Sequence, residues 1–520
     1  SRFKSPDGLL KRLLVGDNHH LADGLVFLHQ ALGLARLGHG QDLVDDRFDV
    51  AFLHHLQPLL QVLHGAQGGA EKLHFSEENV AQIDSGVVTC SGTASNHLSA
   101  PAGEAQAGAH GRLPRVLEDD VHAAAAHYVA DLLGYVLGPA VDQFERSFAE
   151  LCGTRHCIGV GSGTDALHLI LRASGIGPGD EVIVPTNTMA ATAFAAIQCG
   201  AVPVFADSDP RTFNIDPADV ARKITPFTKA IIPVHIFGLP ADMDPLLDLA
   251  EKHDLTVVED SAQCFFGIYK GQIAGTIGHA SSFSFQGSKH MTTAGDGGMV
   301  LTSDNEYGGK IRKAAVQGYR TLTAKPGETM IPRDERQDWG YKRHDSLGYN
   351  FRMSSMQAAL GLGQLERLDY LVAARRYIAS QFDAIIEDTK CSWLIPPVEP
   401  EGIVHSYFSY PIILDEEALG VDWHNFRNKY IELGGDGLYG MCSPVHLEPI
   451  FQTMTFYGPP ERSPHFDSRY KGEVKSYHEG DCPNVESFQK HIFLFKTGMQ
   501  TLEKIEREVD ALHATIEHYA

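Results

Sequence analysis

From about residue 140 the chain predicts an α/β fold: a large domain whose mainly parallel central sheet is sandwiched by helices, followed by a smaller C-terminal α+β domain. Three observations carry that expectation. The runs EVIVP (181–185), VPVFAD (202–207), KAIIPVHIFG (229–238), LTVVED (255–260) and ASSFSF (280–285) are rich in apolar and β-branched residues and read as buried strands. The segments TMAATAFAAIQCG, DPADVARKI and MDPLLDLAEKH between them read as helices, the last with its apolar residues on one face. Strands alternating with helices imply βαβ units, and ligands on such sheets gather at the carboxyl ends of the strands.

Taken in order, residues 1–115 stand apart as an N-terminal extension, helical or disordered. They hold ten of the 27 histidines, from His19 to His110, and end in CSGTASNHLSAPAGEAQAGAHG, a Gly-, Ala- and Ser-rich stretch that reads as a linker. LADGLVFLHQALGLARLG and FDVAFLHHLQPLLQVLHG space their leucines near the helical period. The adjacent pairs His19–His20 and His54–His55 diverge on a helix, with no accompanying carboxylate or cysteine pattern, so no metal site is expected. The large domain is assigned to 116–382. It closes with the long helical pattern SSMQAALGLGQLERLDYLVAARRYIASQF (354–382), and the small domain is assigned to 383–520.

Composition narrows the function. With 43% hydrophobic and 21% charged residues, the chain has the balance of a globular protein with a large core. A net charge of −23 without clustered Lys and Arg argues against a nucleic-acid binder. The eight cysteines are widely spaced, with no C-x-x-C pair, and read as reduced thiols. No apolar run reaches the ~20 residues that span a bilayer, and SRFKSPDGLLKRLL lacks a signal-type apolar core; a cytoplasmic protein is expected.

The chemistry centres on FSFQGSKHMTTAGDGGM (283–299), where Lys289 stands between a short strand and a glycine-rich turn with no acidic residue before Asp296. Two readings are open, an ordinary turn lysine and an amine placed to react. An amine that condenses with a carbonyl cofactor needs an anion site, a carboxylate for the cofactor's ring nitrogen and a cover for the ring face. IGVGSGTDALHLILRA places Gly161, Ser162, Gly163 and Thr164 at a helix start, where unpaired N–H groups and the dipole favour an anion; the alternative is an ordinary helix cap. In VVEDSAQC, Asp260 leaves the end of an apolar strand and is either a ring-nitrogen partner or a helix N-cap. Gln263 follows three residues on, within reach of a phenolic oxygen. Ser284 is a candidate phosphate donor, or is bonded to backbone.

The ordered set GVGSGTDALHL, PTNTMAATAFA, HIFGLPADMDP, VVEDSAQ, SFSFQGSKHMTTAGDGGMV and GYNFRMSSMQAALGLGQLERL resembles the DegT/StrS family of sugar aminotransferases, pyridoxal 5′-phosphate enzymes of the aspartate aminotransferase fold (fold type I). The resemblance covers roughly residues 135–510. It implies that Lys289 anchors the cofactor, that Asp260 and Gln263 hold its ring nitrogen and phenolic oxygen, and that Gly163, Thr164 and Ser284 bind its phosphate. Asn350 matches an asparagine that reaches the phosphate of the neighbouring subunit, so a homodimer with shared sites is implied. Met189 stands where the family usually has an aromatic over the ring, and supplies a polarizable sulfur instead.

The function implied is transfer of an amino group from an amino acid, glutamate or glutamine, to a keto-sugar, nucleotide-linked, or a keto-cyclitol. Two alternatives stay open: a keto-sugar dehydratase, whose family members carry histidine in place of the lysine, and a cofactor-binding regulatory protein without turnover. Arg333, Arg336, Arg343 and His344 form a basic cluster that either meets a diphosphate or is solvated surface. The polar, aromatic-rich stretch 449–480 is expected to be a substrate-side loop.

Overall fold

The computed structural model describes residues 138–326, 337–474, 476–498 and 501–520. The extension 1–115 with its histidines and linker, and Arg333 and Arg336, lie outside the described residues. In the large lobe the elements run α1 (Pro139–Cys152), β1 (His156–Val160), α2 (Gly163–Ala173), β2 (Glu181–Pro185), α3 (Ala190–Cys199), β3 (Val202–Ala206), α4 (Pro217–Lys223), β4 (Thr228–Ile231), α5 (Met243–His253), β5 (Thr256–Asp260), β6 (Ile268–Tyr269), β7 (Gln272–Ile273), β8 (Ala280–Ser284), β9 (Gly298–Thr302), α6 (Asn305–Ala315) and α7 (Ser355–Leu365). There follow α8 (Leu368–Thr389), β10 (Leu394–Ile395), β11 (Ile403–Val404), β12 (Ser409–Leu414), α9 (Glu416–Leu419), α10 (Trp423–Glu432), β13 (Tyr439–Gly440), α11 (Pro449–Thr453), α12 (Pro483–Phe488), β14 (Ile492–Lys496) and α13 (Leu502–Tyr519).

Seven strands form the central sheet in the order β1-β9-β8-β5-β4-β2-β3. From β3 through β8 every pairing is parallel, and only β9 runs antiparallel to its neighbours. Alternation along each strand feeds two cores. Val182, Val184, Val258 and Val300 face α2, α3 and α6 on one side. On the other, Ile183, Ile231 and Val257 pack with α4 and α5, and Phe283, Met299 and Leu301 pack with α1 and α7. Helices on both faces cover the sheet, as the alternating pattern requires.

Two expected elements differ. The run 229–238 is a strand only to Ile231, because Pro233 brings no N–H to the ladder; beyond it residues 236–238 make a 3-10 turn with Phe237 at φ +56°. The helical pattern 354–382 is two helices, broken where Arg367 leaves helical geometry at φ −109° and ψ 1°. The second, α8, runs unbroken through residue 383 and ends at Thr389.

The small lobe has its own sheet, β10-β12-β14-β13, packed by α8, α10 and α13 around Phe382, Tyr410, Phe426, Tyr430, Phe493 and Leu512. Residues 445–488 leave this lobe and pack on the large one. Phe451 stacks on Phe194, and Phe205 meets Phe451 and Tyr477 at ring separations of 5.1 Å. Tyr470 donates to Glu181 Oε1 (2.6 Å), and Asp207, at the end of β3, accepts from the N–H groups of Asn484 and Val485 at the start of α12. The stretch 449–480, expected to be a substrate-side loop, seats Phe451, Tyr470 and Tyr477 on the sheet's flank. No helix among the described residues is long and apolar enough to cross a membrane.

Candidate active site

The turn between β1 and α2 is built for close approach. Ser162 caps α2, its Oγ accepting from the N–H of Asp165 at 3.1 Å, so the cap reading holds and the first helical residues, Gly163 and Thr164, are left with the unpaired N–H groups of a helix start. A Cβ on Gly163 would stand 2.9 Å from Ser284 Cβ, at the end of β8, so glycine lets the turn and the strand end meet. The stretch holding Asn350 braces the turn from outside: Gly161 donates to the Phe351 carbonyl at 2.6 Å and Val160 bridges to Arg352. Gly163 and the end of β8 at Ser284 are thus in close approach, with Thr164 next in the first turn of α2. Among the described residues, Ser284 Oγ accepts only a long 3.4 Å bond from Gln286 N–H.

Asp260 is the last residue of β5, and no helix follows it, so it is not an N-cap. It is buried. Its Oδ2 accepts from Thr192 Oγ1 at 2.9 Å and its Oδ1 from the Ala262 N–H at 3.1 Å. Burial pushes its carboxyl above the usual range, opposed by those two hydrogen bonds and by the charges of Lys289 and His235. Gln263 turns its Oε1 to the N–H of Phe237 at 2.9 Å, which fixes the amide beside the site.

Lys289 lies five residues past β8 on the turn, half-buried. Its amine has no hydrogen-bond acceptor among the described residues; it stands 4.6 Å from the centroid of the Phe408 ring. Burial lowers the pKa of this amine and the Arg375 guanidinium adds to that, whereas Asp260 opposes it. Arg375, on α8, donates to the Lys289 carbonyl at 3.3 Å and to the Phe408 carbonyl and Thr497 Oγ1 at 2.9 and 3.0 Å, tying the lysine turn to the small lobe. His290 points away from the amine: it is buried, with Nε2 3.0 Å from the Ser406 carbonyl.

The remaining expected residues are less enclosed. Met189 precedes α3 and is 71% exposed, so the described residues leave it largely uncovered. Asn350 is exposed in a bridge to Val316 and does not cap α7; Ser354 does that, in a capping box with Gln357. Of the basic cluster, Arg343 is exposed, and His344 stacks on Tyr319 and bonds the Gln317 carbonyl at 2.7 Å. Thr192, Phe408 and Arg375 were not anticipated. Thr192 carried a faint signal, four residues after Thr188 across a helix start.

These residues fit pyridoxal phosphate. A glycine turn at a helix start beside a serine suits a phosphate, a buried carboxylate without a cation bonded to it suits a protonated ring nitrogen, and an amine without an acceptor suits a carbonyl. The family model of the DegT/DnrJ/EryC1/StrS aminotransferase family matches residues 118–475. GDP-perosamine synthase of Caulobacter vibrioides is 44% identical over 48% of this chain and 62% of its own length, a little under two thirds. The dTDP-3-amino-3,4,6-trideoxy-alpha-D-glucose transaminase of Streptomyces venezuelae is 39% identical over 72% of this chain and 86% of its own. Bacillus subtilis NtdA, solved with bound cofactor PMP, superposes with a TM-score of 0.59 at 25% identity, covering 78% of this chain and 83% of that one. The architecture is thus that of the fold-type-I, pyridoxal-phosphate aminotransferases. The chain belongs to the DegT/DnrJ/EryC1/StrS aminotransferase family.

Proposed function

We propose that the protein transfers an amino group from an amino acid, glutamate or glutamine, to the keto carbon of a nucleotide-linked sugar. One observation carries the residue roles: Asp260 ends β5 with acceptor capacity to spare, and the adjacent parallel strand β8 ends at Ser284, against Gly163 of the 161–164 turn, and leads five residues on to Lys289, whose amine has no acceptor among the described residues. The sugar-nucleotide class is supported by relatives that are named for such substrates.

The cofactor supplies a carbonyl that bonds amines covalently and a ring that accepts electrons when a substrate Cα–H bond breaks. Around it the chain has distinct tasks. The α2 start, Thr164 and Ser284 would bind the phosphate. Asp260 would hold a proton at the ring nitrogen, and Gln263 would meet the phenolic oxygen. Lys289 would act as the base that takes the proton from the donor's Cα; burial keeps its amine neutral more readily, which a base requires. Met189 would cover the ring face. The cytoplasm suits the seven described cysteines, all free. With His290 turned to the Ser406 carbonyl and the amine in place, the geometry favours amination over dehydration.

Borohydride reduction of the loaded protein followed by peptide mapping should mark Lys289; a mark on another lysine overturns the assignment. Bleaching of the visible band on adding glutamate or glutamine tests turnover, and a spectrum that no amino donor changes favours the regulatory reading. We further propose a homodimer in which Asn350 completes the partner's phosphate site, supported by its exposure and by the capping of α7 without it. Mixing Lys289→Ala with Asn350→Ala chains should regenerate one intact site per mixed dimer. Mixed dimers without activity would refute sharing.

A further inference from the structure

We propose that Thr192 is a positioning residue for Asp260, the terminus of a directed hydrogen-bond chain Thr188–Thr192–Asp260. This rests on the reading of Asp260 as the ring-nitrogen partner. Thr192 is fully buried on the first turn of α3. Its Oγ1 lies 2.9 Å from Asp260 Oδ2 and 2.8 Å from Thr188 Oγ1. An ionised carboxylate only accepts, so the single Thr192 proton goes to Asp260, and Thr188 must donate to Thr192. Such a chain polarises in one direction, strengthening the bond at its charged end.

The consequence for the carboxylate is orientational. Each Asp260 oxygen has one donor, Ala262 N–H on Oδ1 and Thr192 on Oδ2, from two different elements. Together they fix rotation about the Cβ–Cγ bond and leave lone pairs for a third partner. The Thr192 hydroxyl also opposes the burial that would protonate Asp260; the other charged groups acting on that carboxyl are Lys289 and His235. Thr188 lies next to Met189, so the segment that covers the ring face also aims the ring's counter-charge.

The test is reconstitution of apoprotein with pyridoxal phosphate. Thr192→Val keeps shape and removes the hydroxyl; loss of a hydrogen bond to a charged group should raise the cofactor dissociation constant on the order of tenfold. The pH midpoint of the visible absorption band should move to higher pH, because a less firmly protonated ring leaves the lysine–cofactor nitrogen more basic. Thr192→Ser should restore both, and Thr192→Ala stands in if the valine variant does not fold by apoprotein melting. Wild-type affinity and midpoint in the hydroxyl-free variant overturn the proposal. In an Asp260→Asn background the valine substitution should add less than about twofold; its full effect there would also overturn it. If Asp260→Asn alone changes neither readout, the fault lies with the Asp260 assignment.

Discussion

Glu259 and Asp260 are neighbours on β5, both carboxylates and both buried, and strand alternation sends them to opposite faces of the sheet. Glu259 accepts four hydrogen bonds: His235 Nε2 (2.9 Å) and Gly275 N–H (2.7 Å) on Oε2, Ile277 (2.7 Å) and Gly278 N–H (2.6 Å) on Oε1. Asp260 accepts two. The first is saturated and organises the loop 275–278. The second retains acceptor capacity and feels the charge of the Lys289 amine, which has no acceptor among the described residues. Burial alone does not tell the two carboxylates apart; unfilled acceptor capacity does.

The largest expected break in this comparison is Asp260→Asn. An amide cannot hold the ring charge, so half-reaction rates should fall ~100-fold or more, about 3 kcal/mol. The apoprotein should lose no stability. Burial raises the folded carboxyl above its unfolded value of 3.8, so folding is progressively penalised as pH climbs above ~4. The asparagine variant escapes that penalty, and its apo melting temperature should overtake wild type between pH 4 and 7. A less stable apo variant at pH 7 would contradict this.

Glu259→Gln should do the reverse. An amide N–H turned toward donors leaves buried groups unpaired, costing ~2–4 kcal/mol in chemical denaturation. The half-reaction rate per folded molecule should stay within about fivefold of wild type. A selective rate loss would place Glu259 in the chemistry.

A saturated histidine sharpens the contrast by titration. His465 is buried between Ser463 Oγ and Tyr477 Oη, each 2.7 Å from a ring nitrogen, and burial pushes its pKa down to about 4. The unfolded chain binds its proton first as pH falls from 6.5, so stability should drop by about 2 kcal/mol by pH 4.5, and His465→Gln should flatten that slope. Smallest of all is Met189→Ala, which should change apo stability by less than ~0.5 kcal/mol and cofactor affinity by only a few-fold, since the side chain is mostly exposed.

Much of this was legible in advance where chemistry is local. The strands EVIVP and LTVVED emerged within a residue of expectation, since β-branched runs buried on both faces have one comfortable conformation. The helix start at Gly163 was written in its capping serine. The seat of the 449–480 stretch was not legible, because aromatic, proline-rich chain carries no period; only the presence of Phe205, Phe194 and Glu181 on the sheet's flank decides it.

By itself the sequence determined the alternation of elements and the placing of the glycine turn, Asp260 and Lys289 at strand ends, because each depends on residues close together in the chain. Only the tertiary structure decided which carboxylate of the pair is saturated, that Thr192 lies against Asp260 from 68 residues away, and that Arg375 lies behind the lysine turn. Hydrogen bonds between distant segments have no period or spacing to read. They exist because folding brings donors to acceptors, and a lone threonine or arginine in a helix reveals nothing until that happens.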